Sequence, residues 1–345
     1  MRYSKFEILR ILAIMGVIIL HYNAILLDYV FENSINKEMI YFTESMCICS
    51  VNIFILISGY FMCQSKKQTL WKPIELWFQV IVFNIVMSLL SMAMNGGGSL
   101  SQLCKALLPI NYFVNLYVVL YIISPYLNCL INRLSIKQLR RMVFTSFILF
   151  SIWPILQDIL EAIVGVKLIG LSSIGAYGAQ SGYTIVNFAM MYLIGAWIGK
   201  DNIYLSRKTL LVFLASVYTI LFLWIRVSWS TATEYCNPVV IISAIVIFLL
   251  FQSTNIKDSN IINGLAQASF TVFLLHSYFL PYAGIDKVAN LSLDVLIVHL
   301  AITCIAIYII SYLIYIIYVK ATSSFFKSLK KHIILPQIKI LREKD

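Results

Sequence analysis

The chain has 345 residues, of which 61% are hydrophobic and only 12% charged, with a net charge of +11. Soluble domains carry about a quarter charged residues, so a water-soluble globule, which would have to hide all this apolar surface, is excluded. The basic excess flanks apolar stretches instead of forming a nucleic-acid motif, so no nucleic-acid partner is expected and the natural counterpart is anionic membrane lipid.

Charge-poor stretches near the ~20 residues needed to cross a bilayer recur along the chain. They lie at 7–28, 41–62, 74–94, 112–131, 142–160, 183–199, 209–226, 238–253, 264–281 and 294–319. Backbone groups in hydrocarbon need internal partners, and these runs are too continuously apolar for barrel strands. The expected fold is all-α, a polytopic integral membrane bundle of about ten transmembrane helices. It occupies residues 1–319, with a basic cytoplasmic tail at 320–345. With the N-terminus inside, 21 of the 26 Lys and Arg fall on the cytoplasmic side, leaving Lys37, Lys105, Lys167, Arg226 and Lys287 outside. That bias places both termini in the cytoplasm and the protein, multi-pass, in the cytoplasmic membrane.

The first helix carries the most informative residues. Arg2 and Lys5 precede its apolar run, but no small-residue cleavage site follows, so an uncleaved helix is expected. Arg10 and His21 are 11 residues apart, which is about 20° past three full turns and roughly 16 Å along the axis. They share a face, and Asp28 continues the stripe. Ionisable groups inside a span are expensive and mark functional sites by default. Arg10 reads either as a positive-inside anchor or as a holder of phosphate groups. His21 reads either as a packed, hydrogen-bonded histidine or as a proton-transfer group.

Further along, Glu44 at the outer end of the second helix either orients His21 or faces water. Asn52 and Ser58 on that helix suit interhelical hydrogen bonds. Tyr117, Tyr121, Ser124 and Asn128 line one side of the fourth helix at i, i+4, i+7 and i+11. Such a row serves a polar ligand or helix-to-helix bonding. The stretch 161–182, with five glycines, is expected as an outer loop near the site mouth or a connector, without phosphate-loop spacing. His276 falls mid-span on the ninth helix, open to a site role or a packing role. The seven cysteines show neither metal spacing nor a disulfide framework, although Cys104 and Cys236 share the outer side and could pair. In the tail, Phe325, Phe326, Ile333 and Ile334 among lysines suit a segment lying on the membrane surface or a disordered basic tail.

Several segments together resemble the acyltransferase-3 family. Arg10-Ile-Leu-Ala-Ile-Met-Gly-Val-Ile-Ile-Leu-His21 carries its Arg-x10-His pattern. The stretches 52–60, 121–128 and 192–197 and the late Ser269–His276 follow in order. The family comprises membrane O-acyltransferases of surface polysaccharide, lipopolysaccharide and cell-wall polymers. The resemblance implies a transferase moving an acyl group, most often acetyl, from cytoplasmic acyl-CoA to a hydroxyl of an extracytoplasmic glycan or lipid-linked oligosaccharide. Acyl-CoA would be a co-substrate, with no permanently bound cofactor and no metal. Arg10 with Lys66, Lys67 and Lys72 would hold the anionic donor, and His21 would be the catalytic base or carry the acyl group. Asp28, Glu44, Asn52, Ser58, Tyr117, Tyr121, Ser124, Asn128 and His276 would support the acceptor or the site. One departure is that the region after the second span has lysines and no Arg-x-x-Arg. A glycan or lipid transporter of the flippase kind is the competing class; a polymerase would usually bring a larger outer loop.

Overall fold

The structure is a computed structural model that describes residues 3–65, 68–94, 97, 99–168, 171, 182–333 and 337–338. Helix α1 (Ser4–Leu27) is tied down at its start, where the Ser4 amide donates to Asp258 Oδ1 at 2.9 Å and Ser4 Oγ donates to Asn263 Oδ1 at 3.0 Å. Helix α2 (Ile35–Cys47) starts where Ser34 Oγ accepts from the Lys37 amide, a side-chain cap for an otherwise orphan donor. After a jog at Ile48–Cys49 the chain continues as α3 (Ser50–Met62). The predicted second span therefore begins earlier than residue 41 and is not one straight helix. A short strand β1 (Gln68–Thr69) precedes α4 (Trp71–Met94). Next come α5 (Leu100–Ala106) and α6 (Tyr112–Arg133).

Helix α7 (Ile136–Phe147) runs through a π turn (Ile148–Ile152) into α8 (Trp153–Val164). Pro154 has no N–H to give the preceding turn, and the wider π turn accommodates it without breaking the helix. Gly165, at φ 75°, ends α8 in the left-handed conformation that suits glycine. Most of the glycine-rich stretch, including Gly170, Gly175 and Gly178, lies outside the described residues.

The chain resumes with α9 (Ile185–Asp201), α10 (Arg207–Val227), α11 (Trp229–Ala232) and α12 (Pro238–Gln252). The predicted ninth span is interrupted. It forms α13 (Asn260–Ala266), a turn at Gln267–Ala268, α14 (Ser269–Phe279) and a 3-10 turn at Leu280–Tyr282. After α15 (Ile285–Val288), α16 (Leu293–His332) runs for 40 residues, about 60 Å at 1.5 Å per residue against a ~30 Å hydrocarbon core. It continues well past residue 319, where the last span was expected to end. A strand β2 (Gln337–Ile338) then pairs antiparallel with β1.

Seven of these helical stretches are long and apolar enough to cross a membrane, among them Ile35–Met62 and Ile136–Val164 taken as units. The other three predicted spans correspond to α9, α12 and the broken α13–α14, all shorter. The chain is a multi-pass helical membrane protein. Its central helix is α1, which packs against α2, α3, α12, α13, α14, α15 and α16. The tightest approach is between α3 and α9. A Cβ on Gly59 would lie 2.1 Å from the Tyr192 carbonyl oxygen, and one on Gly195 would lie 2.2 Å from that of Leu56. Small residues let membrane helices come this close, where lipid offers no hydrophobic drive for association. The two segments 52–60 and 192–197 are thus one contact. All seven cysteines are free, with Cys104 exposed on α5 and Cys236 buried beyond α11, so the Cys104–Cys236 pairing is not formed.

Candidate active site

The site is built on α1. Arg10 and His21 both project from it, one near the face where α1 starts, which is rich in lysine, and one in the opposite half. A cavity of about 290 Å³ opens beside Arg10 and is lined by Glu7, Ser58, Lys72, Tyr117 and Gln267 among polar groups. Its apolar walls include Val17 of α1 and Phe273 of α14. Val17 is one turn before His21 and Phe273 is one turn before His276. The cavity therefore leads from a cationic mouth to within a turn of both imidazoles.

Those two rings stand against each other, centroids 4.7 Å apart and tilted by 51°. His276 is buried, 3% exposed. Its Nδ1 lies 2.6 Å from the Phe273 carbonyl oxygen. A carbonyl can only accept, so Nδ1 carries the proton and the neutral ring keeps a lone pair on Nε2. That Nε2 is buried and has no protein partner. His21, by contrast, is exposed, as are Ala24 and Asp28 on the same stripe. This exposed stripe runs from His21 toward the end of α1 at Asp28.

Neighbouring bonds hold α1 in that rotation. The Tyr22 hydroxyl donates to His299 Nδ1 at 2.8 Å, and His299 Nε2 donates to the Ala283 carbonyl at 3.0 Å. Asn23 Nδ2 donates to Glu44 Oε2 at 2.9 Å and to Thr43 Oγ1 at 3.1 Å. Glu44 is therefore buried and engaged with Asn23; it neither faces water nor bonds to His21. Asp28 caps the C-terminus of α1 and is exposed there.

At the other end, Arg10 Nη1 pairs with Glu7 Oε1 one turn away. Glu7 is buried, and its second oxygen, Oε2, has no partner. Sequence reasoning passed over Glu7, although an acid three residues before an arginine in an apolar helix is a recognisable i, i+3 pair. Gln267 and Ser269, at the break between α13 and α14, also enter the cavity wall. Irregular backbone at membrane depth is tolerated where it lines a cavity. Lys72 lines the mouth, whereas Lys66 and Lys67 lie outside the described residues.

The polar row on α6 divides. Tyr117 faces the cavity, its hydroxyl 3.3 Å from Ser58 Oγ. Tyr121 reaches the backbone at Thr69. Ser124 donates to Gln68 Oε1 at 2.9 Å. Asn128 donates to the Met62 carbonyl at 3.0 Å and accepts from the Tyr192 hydroxyl at 2.7 Å. Ser124 and Asn128 thus bind elements together. Asn52 does the same, donating to the Tyr235 carbonyl at 2.8 Å and accepting from Asn187.

A second cavity, about 470 Å³, lies on the opposite face and is lined by Asp158, Glu161, Lys167 and Glu234. Burial, reinforced by the Asp158 carboxylate, raises the Glu234 carboxyl to about 7. Among the described residues no group of His, Cys, Asp and Glu could hold a metal ion.

The fold is a helical membrane bundle whose cavity runs from Arg10 and Lys72 to within a turn of paired imidazoles. The acyltransferase-3 family model, an acyltransferase domain, matches residues 3–316, and the chain belongs to that family. No curated protein and no solved structure matches it. The chain is a membrane acyltransferase, and a transporter without acyl chemistry is no longer the competing reading.

Proposed function

We propose that the protein transfers an acyl group, acetyl first among candidates, from acyl-CoA at the lysine-rich, cytoplasmic face to a hydroxyl of an extracytoplasmic glycan or glycolipid. The observation that carries this reading is the cavity that runs from Arg10 to within a turn of the His21–His276 pair. Coenzyme A is anionic at its nucleotide end, which suits Arg10 and Lys72 at the mouth. Arg10 offers a planar fork matched to phosphate oxygens. The thioester arm would then run past Ser58, Tyr117 and Gln267 toward the imidazoles, while the acceptor approaches His21 along the open Ala24–Asp28 stripe.

In this reading His21 takes the proton from the acceptor hydroxyl as that oxygen attacks the thioester carbonyl. The new C–O bond forms, the C–S bond breaks, and His21 returns the proton to the leaving thiolate. His276, fixed in one tautomer by the Phe273 carbonyl, packs against the reacting ring. Transient acylation of His21 is the alternative chemistry on the same atoms.

The test is transfer of radiolabelled acetyl from acetyl-CoA to glycan in membranes matched for protein level. His21→Gln keeps size and hydrogen-bonding capacity, so a packing histidine would tolerate it. A base would not, and activity should fall by a factor on the order of 10²–10⁴. Substantial transfer by His21→Gln overturns the assignment.

A further inference from the structure

The end of α16 does something a membrane anchor has no need to do. Crossing the core takes ~20 residues, yet α16 runs to His332 and its last turns fold against the first two turns of α4. Phe325 and Phe326 pack on Phe78, with ring centroids 5.6 and 5.0 Å apart. Lys330 pairs with Glu75, and its ammonium stands 5.8 Å over the Trp71 ring. Beyond the helix, β2 hydrogen-bonds to β1, immediately upstream of α4. Trp71 and Glu75 bracket Lys72, which lines the mouth of the cavity. The extension is thus fastened on both sides of that lysine.

Its charge fits the place. Residues 320–332 carry Lys320, Lys327, Lys330 and Lys331 and no acidic residue. Lys330 offsets Glu75, a carboxylate one helical turn from Lys72 that would otherwise repel an anion at the mouth. Lys327 and Lys331 are exposed. The segment after α3 has lysines and no arginine pair.

We propose that residues 325–332 form part of the donor site, with Lys327 and Lys331 engaging the phosphate groups at the nucleotide end of the acyl donor beside Lys72 and Lys330 holding the extension to α4. The inference rests on the reading of that cavity as the donor site. Phosphate chemistry is shared by coenzyme A and by anionic lipid headgroups, and the two sources separate experimentally.

The experiment measures binding of coenzyme A and of pantetheine, which keeps the arm but has no phosphate, to purified protein in nanodiscs. Wild type is compared with the surface variant Lys327→Glu/Lys331→Glu and its Lys→Arg counterpart, in phosphatidylcholine and in discs with added phosphatidylglycerol. The charge-reversed variant should bind coenzyme A on the order of tenfold more weakly, with pantetheine affinity unmoved and the arginine version close to wild type. The loss should be present in phosphatidylcholine discs. Equal losses for both ligands would make the extension a packing element. A loss seen only with phosphatidylglycerol would make it a lipid contact, and no loss would remove it from the site; each overturns the proposal. Failure of wild type itself to bind coenzyme A would instead bring down the donor reading, and this inference with it.

Discussion

At the scale of single residues, the site joins groups whose separate meanings in the sequence were ambiguous. The 11-residue spacing made the shared face of Arg10 and His21 legible. That His276 would meet His21 was not, because helix periodicity carries no information about which distant helix packs opposite. Glu7 changes how Arg10 must be tested. Removing the guanidinium leaves a buried carboxylate unpaired, a strongly destabilising arrangement, so Arg10→Ala is expected to lower abundance as well as donor affinity. Arg10→Ala/Glu7→Gln should restore abundance while coenzyme A binding stays weakened by on the order of tenfold or more. Arg10→Lys should recover only part of the affinity, since the forked geometry is lost. Titration of the donor onto the purified variants reads this directly, and wild-type affinity in the double variant would take Arg10 out of the donor site.

Among elements, the decisive contact is α3 against α9. Gly59 and Gly195 each face a backbone carbonyl that cannot move aside as a side chain would. Gly59→Ala and Gly195→Ala should each cost about 1–3 kcal/mol by overpacking, seen as a lower melting temperature in detergent. Gly264→Ala, whose added methyl would meet nothing within 4 Å, is the control and should not lower the melting temperature. The sequence marked both glycine segments without revealing that they meet, for the same reason that hid His276. Breaks within spans were illegible for another reason. Ile48 and Cys49 are apolar, so hydropathy runs straight through the jog in α2–α3, and the lone Gln267 is too little to mark the turn in α13–α14. The end of α16 was misjudged because Lys320 stops a membrane span but does not stop a helix. Lysine is a good helix former, and neither proline nor glycine follows before His332.

For the molecule as a whole, composition announced a membrane bundle, and charge asymmetry supplies its proposed orientation. In intact cells, cysteines placed at Glu32 and Lys167 should react with impermeant maleimide, and one placed near the C-terminus should not until the membrane is opened. Labelling of the C-terminal position in sealed cells would invert the orientation and move the cationic mouth to the outside, where no cytoplasmic acyl-CoA could reach it. The length of α16 has a mechanical consequence on this scale. One helix holds His299, which bonds to Tyr22 next to His21, and Lys330, which bonds to Glu75 one turn from Lys72. The 31 positions from one to the other contain no proline or glycine hinge and amount to roughly 46 Å of continuous helix. Such a rod has no joint at which to absorb a tilt. A tilt at one end would have to be taken up by bending of the helix itself or be carried along it to the other end.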